Sequence, residues 1–146
     1  MIKQDKNPYM DKFVVGVDFG TATTGLALGK NGAVSPVSSI ELQDKLYAVS
    51  QVCKLARENK AALIVIGLPL TELGKETGQS IEVRRFAKLI ATRIGTPVRF
   101  VNEHGTTEEA EDKAIEDGLP RKVRRKVDSI SAAIILKRFF ADEGLD

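Results

Sequence analysis

The sequence has no tryptophan, one cysteine and one histidine in 146 residues, and aromatic side chains make up only 5% of it. The single cysteine, Cys53, excludes an internal disulfide and any cysteine-cluster zinc site. One thiol suits a reducing cytosol, so a cytoplasmic location is expected. Met1 to Lys12 is polar and has no apolar centre, unlike a signal peptide or anchor. These residues read as a flexible N-terminal tail, ahead of a single domain over 13–146. The longest apolar stretch, Ala61 to Ile66, is far too short to cross a bilayer, so no membrane partner is expected. With so few aromatics, base stacking can be only a minor part of any nucleic-acid recognition. Net charge is also small, at +2. The cations are nevertheless concentrated: Arg121, Lys122, Arg124, Arg125 and Lys126 put five in six residues with no acid among them.

What is present is an alternation of strand and helix signals. Residues 13–18 and 24–29 read as strands joined by a tight Gly/Thr turn, which favours an antiparallel hairpin. A third strand falls within 33–41, and Pro36 marks it as an edge or an irregularity. Residues 45–59 form a helical pattern with Leu46, Val49, Val52, Cys53 and Ala56 near one face. The run 61–66 reads as a strand buried on both faces. A helix follows from about Ser80 to Ile94, then a strand over 98–101. The series Thr106-Thr107-Glu108-Glu109 reads as a capping box opening a helix that lasts to about Asp117. A last helix runs from near Asp128 to about Ala141. This order predicts an α/β fold: a five-stranded mixed sheet with helices on both faces.

In such sheets, ligands gather beyond the carboxyl ends of strands. Asp18 ends the apolar run Phe13-Val14-Val15-Gly16-Val17, and Glu103 lies just past the last strand. Asp128 opens the final helix. Three carboxylates at one edge would repel, and burial would raise their pKa values; a hard divalent cation relieves both problems. Two such cations can activate a water and stabilise the leaving oxygen of a phosphodiester. Each acid also has a plainer role available: turn stabilisation for Asp18, a solvated loop for Glu103, and a helix N-cap for Asp128. His104, the only histidine, is a secondary candidate for proton transfer or phosphate contact. The basic run 121–126 flanks Asp128 and suits contact with nucleic-acid phosphates. Lys75, in the loop after the central strand, is placed with it as a nucleic-acid-binding candidate. That loop reads equally as a substrate lid or an ordinary connection.

With these residues in place, the sequence resembles the YqgF/RuvX family, described as pre-16S rRNA nucleases and as Holliday junction resolvases. The marks are Gly16-Val17-Asp18-Phe19-Gly20 with Gly25-Leu26-Ala27, then Ile66-Gly67-Leu68-Pro69-Leu70, then Glu103 with Thr106-Thr107-Glu108-Ala110, and Lys126-Val127-Asp128-Ser129 with Ala132-Ala133-Ile134-Ile135-Leu136. The resemblance implies an RNase H-like fold and a nuclease site using Mg²⁺ or Mn²⁺ at Asp18, Glu103 and Asp128. It implies a metal-activated water hydrolysing structured RNA, the 5′ end of precursor 16S rRNA, or alternatively branched four-way DNA. One motif departs from the family pattern. Where the family reads Asp-Glu-Arg-Leu, this sequence has Asn102-Glu103-His104-Gly105. That departure keeps open a non-catalytic RNA-binding module of the same fold. A nucleotide phosphotransferase, suggested by Asp18-Phe19-Gly20-Thr21, would need a second domain to close around ATP. The oligomeric state is not encoded in any visible seam.

Overall fold

A computed structural model describes residues 7–20, 22–41, 44–103 and 127–146. Five strands are present among them: β1 (Val14–Phe19), β2 (Thr23–Lys30), β3 (Ala33–Glu41), β4 (Leu63–Leu68) and β5 (Val98–Asn102). Three helices accompany them: α1 (Lys45–Glu58), α2 (Gly78–Ala91) and α3 (Val127–Asp142). They form one sheet in the order β3-β2-β1-β4-β5. β1, β2 and β3 pair antiparallel, whereas β1, β4 and β5 pair parallel. The expected mixed sheet is therefore observed, and Pro36 does lie on an edge strand. The β2–β3 hairpin turns through Asn31 and Gly32, both at positive φ (53° and 86°), the pairing a tight two-residue turn requires.

Side-chain alternation along β1 decides which layer each residue meets. Val15, Val17 and Phe19 face α1 and α2, joining Val52, Cys53, Phe86 and Ile90 in one core. Phe19 stacks on Phe86 with ring centroids 4.2 Å apart. Val14 faces the opposite side, where Ala27, Leu63 and Val65 meet Ile135, Leu136, Phe139 and Phe140 of α3. Asp18 shares the parity of Val14 and Gly16, so it belongs to the α3 layer. Gly67 on β4 and Glu103 after β5 share the parity of Val65 and Val101 and belong to that layer too.

Several boundaries differ from the sequence reading. β1 extends through Phe19, which puts Asp18 inside the strand rather than at its tip. α2 begins at Gly78, two residues before Ser80, because Thr77 and Ser80 form a capping box: the Thr77 hydroxyl accepts from the Ser80 amide at 3.0 Å, and Ser80 Oγ accepts from the Thr77 amide at 2.8 Å. Asp128 lies within α3, one residue after Val127, and is not its N-cap. The tail expectation fails for residues 7–12. Asn7 donates to the carbonyl and carboxylate of Glu143, each at 3.1 Å, and Tyr9 meets Phe139 edge-on at 5.4 Å. These are contacts between distant parts of the chain, so no local periodicity announces them. Residues 1–6 and the capping box at 106–109 lie outside the described residues.

Candidate functional site

The site starts with two acids from strands that are neighbours only after folding. Asp18 on β1 pairs across the hairpin with Gly25. On its other side, β1 and β4 run in a register that ends at Val17 opposite Ile66, which brings Gly67 next to Asp18. Glycine therefore flanks Asp18 on both neighbouring strands. Glu103 follows Asn102, and its N–H extends the ladder by donating to the Leu68 carbonyl at 3.3 Å. Its side chain then fills the space that Gly67 leaves. A Cβ on Gly67 would stand 2.5 Å from Glu103 Oε2 and 2.5 Å from Ile135 Cδ1.

The two carboxyls hydrogen-bond to one another. Asp18 is 9% exposed, and its pKa is pushed up to about 8, first by burial, then by the charge of Glu103, then by the shared hydrogen bond. Glu103 is also raised, chiefly by burial, while the bond to Asp18 and the positive charge of Arg138 oppose the rise. The pair thus retains a proton above the usual carboxylate range. Two buried carboxylates in contact cannot both ionise without a compensating positive charge. A retained proton meets part of that need here, and the positive charge of Arg138 acts on Glu103 as well. An oxygen-seeking divalent cation fits the same donor set.

The backbone of α3 brings Asp128 to the same end. Ala132 O and Leu136 lie over Gly16, within 3.0 Å of where its Cβ would be, and Phe140 lies over Gly29. Gly29 is opposite Val14 at the start of β1. The helix therefore runs antiparallel to β1, and its first turn, with Asp128, falls at the Asp18 end of the strand. Among the described residues no set of three metal-ligating side chains is assembled. Asp18 and Glu103 supply two, and Asp128 is present by its backbone position. Lys75 is exposed in the connection between β4 and α2, at the same sheet edge. That connection is a closed turn, with Thr71 N–H donating to the Lys75 carbonyl and Lys75 N–H donating to Thr71 Oγ1, each at 3.0 Å. His104 and the cations Arg121, Lys122, Arg124, Arg125 and Lys126 lie outside the described residues.

Sequence reasoning missed two contributors. Gly67 appeared there only as part of a motif, and its role as the seat of Glu103 requires the β4–β5 register. Arg138, on the last helix, donates to the Asn102 carbonyl at 3.2 Å and had no signal in the sequence beyond its charge. A cavity of about 160 Å³ lined by Leu26, Val37, Gln51 and Leu55 lies in the α1 layer, on the other face from the acids.

The RuvX family model, described as Holliday junction resolvase, matches residues 12–142. A Shewanella denitrificans protein named "Putative pre-16S rRNA nuclease" is 31% identical over 137 residues, covering 92% of this chain and 97% of its own length. A protein of the same name from Proteus mirabilis is 33% identical over 133 residues, covering 89% and 96%. Among solved structures, T. thermophilus RuvC in complex with a Holliday junction substrate superposes with a TM-score of 0.59, at 15% identity, over 91% of this chain and 96% of that one. The likeness to RuvC establishes the shared RNase H-like fold. Among the described residues, no helix is long and apolar enough to cross a membrane.

Proposed function

From the premise that this chain belongs to the RuvX family of nucleases, we propose that it is a divalent-metal-dependent endonuclease that processes the 5′ end of precursor 16S rRNA. One observation supports the metal dependence: Asp18 and Glu103 are buried together on the α3 face, where burial disfavours the charged form of both. Asp18, Glu103 and Asp128 would hold Mg²⁺ or Mn²⁺. A bound cation of this kind supplies Lewis-acid polarisation of a phosphoryl oxygen and makes water a stronger nucleophile near neutral pH.

The protein's own residues prepare that chemistry. To hold a cation, Asp18 and Glu103 would have to give up the proton they retain, since ligands must be deprotonated. Gly67 leaves the space that the Glu103 carboxylate occupies beside Asp18. Lys75 and the basic run 121–126 would grip the nucleic-acid backbone, giving affinity that weakens with salt and reads little sequence. The loss of an arginine after Glu103, replaced by His104, leaves the acid itself in place.

The second reading is resolution of four-way DNA junctions, which the description of the matching family favours. Cleavage of labelled precursor rRNA and of a four-way junction, each with Mg²⁺ or Mn²⁺, separates the two. Asp18→Asn should lower cleavage by at least about a hundredfold while leaving RNA binding within a few-fold. Cleavage without added metal, or full activity of Asp18→Asn, would refute the mechanism. Binding without cleavage under every condition would favour the non-catalytic module.

A further inference from the structure

Arg138 joins two elements that the proposed site draws on. It lies on α3, the helix that carries Asp128, and its Nη1 donates to the carbonyl of Asn102 at 3.2 Å. Asn102 is the last residue of β5, and the next residue is Glu103. The contact therefore ties the helix of one acid to the strand end that presents another. A strand end held only by its ladder is free to fray; here that ladder ends in the 3.3 Å bond between Glu103 N–H and the Leu68 carbonyl.

Neighbouring arginines are engaged elsewhere. Arg99 pairs with Glu143 and lies over the rings of Tyr9 and Phe139. Arg84 pairs with Glu76 and lies over Phe100. Arg138 is half-buried, and its positive charge acts on the Glu103 carboxylate. A planar guanidinium loses less freedom per hydrogen bond than a lysine ammonium, so it suits a fixed bridge better.

We infer that Arg138 is a positioning residue for the metal site: by fixing the end of β5 against α3, it holds the Glu103 carboxylate beside Asp18 in the arrangement a shared cation requires. This rests on the reading of Asp18 and Glu103 as metal ligands. Partners one step removed from a metal typically tune its affinity by about 10–100-fold.

The test compares Mn²⁺ binding by the full chain, measured by calorimetry without nucleic acid, in wild type, Arg138→Met and Arg138→Lys. Mn²⁺ dependence of cleavage and KM for RNA are measured alongside. Arg138→Met should weaken Mn²⁺ binding about tenfold and raise the Mn²⁺ needed for half-maximal cleavage in parallel, with KM for RNA within about twofold of wild type. Arg138→Lys keeps the charge and should recover part of the affinity. If Arg138→Met does not fold, Arg138→Lys decides: about two- to fivefold weaker Mn²⁺ binding supports the role, and wild-type affinity overturns it. Unchanged Mn²⁺ affinity with a raised KM also overturns it, because Arg138 would then be gripping substrate. A wild-type chain that binds Mn²⁺ but cuts neither RNA nor junction sinks the nuclease reading alone, and the calorimetric comparison still decides Arg138. A wild-type chain that binds no Mn²⁺ overturns both.

Discussion

The space above Gly67 is taken by the Glu103 carboxylate and the Ile135 side chain. A methyl there would collide with both the Glu103 carboxylate and the Ile135 side chain. Gly67→Ala should therefore displace Glu103 and reduce kcat by at least about tenfold, with KM for RNA little changed, in steady-state cleavage assays. Overpacking should also destabilise the fold by about 1–3 kcal/mol, measurable by urea unfolding. At this scale the sequence was legible where chemistry and pattern coincided. Asp18 stood out because an ionisable group closing an apolar run is costly without compensation. Glu103 was legible only as the residue after a strand. Gly67 and Arg138 were not, because their roles depend on a lateral register and on a contact across 36 positions of chain.

Elements were read from the sequence with the accuracy that periodicity permits. All five strands and the three described helices were found, and the edge position of β3 followed from Pro36. Errors fell at the ends, where capping rather than periodicity decides. α2 is the instructive case: its apolar stripe starts at Val83, but its first turn is fixed by the reciprocal Thr77–Ser80 bonds. Thr77 Oγ1 also donates to the Pro69 carbonyl at 3.0 Å, fastening the helix start to the loop that leaves β4. Thr77→Ala should cost about 1 kcal/mol, seen as a lower urea midpoint with an unchanged slope. A loss under about 0.3 kcal/mol would show that Ser80 caps the helix unaided. The segment 7–12 was misread for a different reason. Its anchors, Glu143 and Phe139, come from the far end of the described chain, and polar composition alone resembles a tail.

For the molecule as a whole, the acid pair couples folding to pH. In the unfolded chain Asp18 titrates at its ordinary value of 3.8, whereas in the native protein it keeps its proton until about pH 8. Between those values the native state binds more protons than the unfolded one, so the metal-free protein must lose stability as pH rises. The loss is on the order of a few kcal/mol across that window and levels off above about pH 8. Calorimetric Tm values should therefore fall from pH 5 to pH 8. Asp18→Asn should flatten that slope, and Mn²⁺ should raise Tm more at pH 8 than at pH 6, because a cation replaces the retained proton. A Tm that climbs across this range would contradict the shared proton. The two-layer division has a practical consequence as well. Cys53 is 1% exposed in the α1 and α2 core, where burial pushes its thiol pKa up, away from the reactive range. The native thiol is therefore inert to a maleimide dye, and Lys54→Cys, at an exposed position of α1, offers single-site labelling or surface immobilisation with the acidic face turned towards solution.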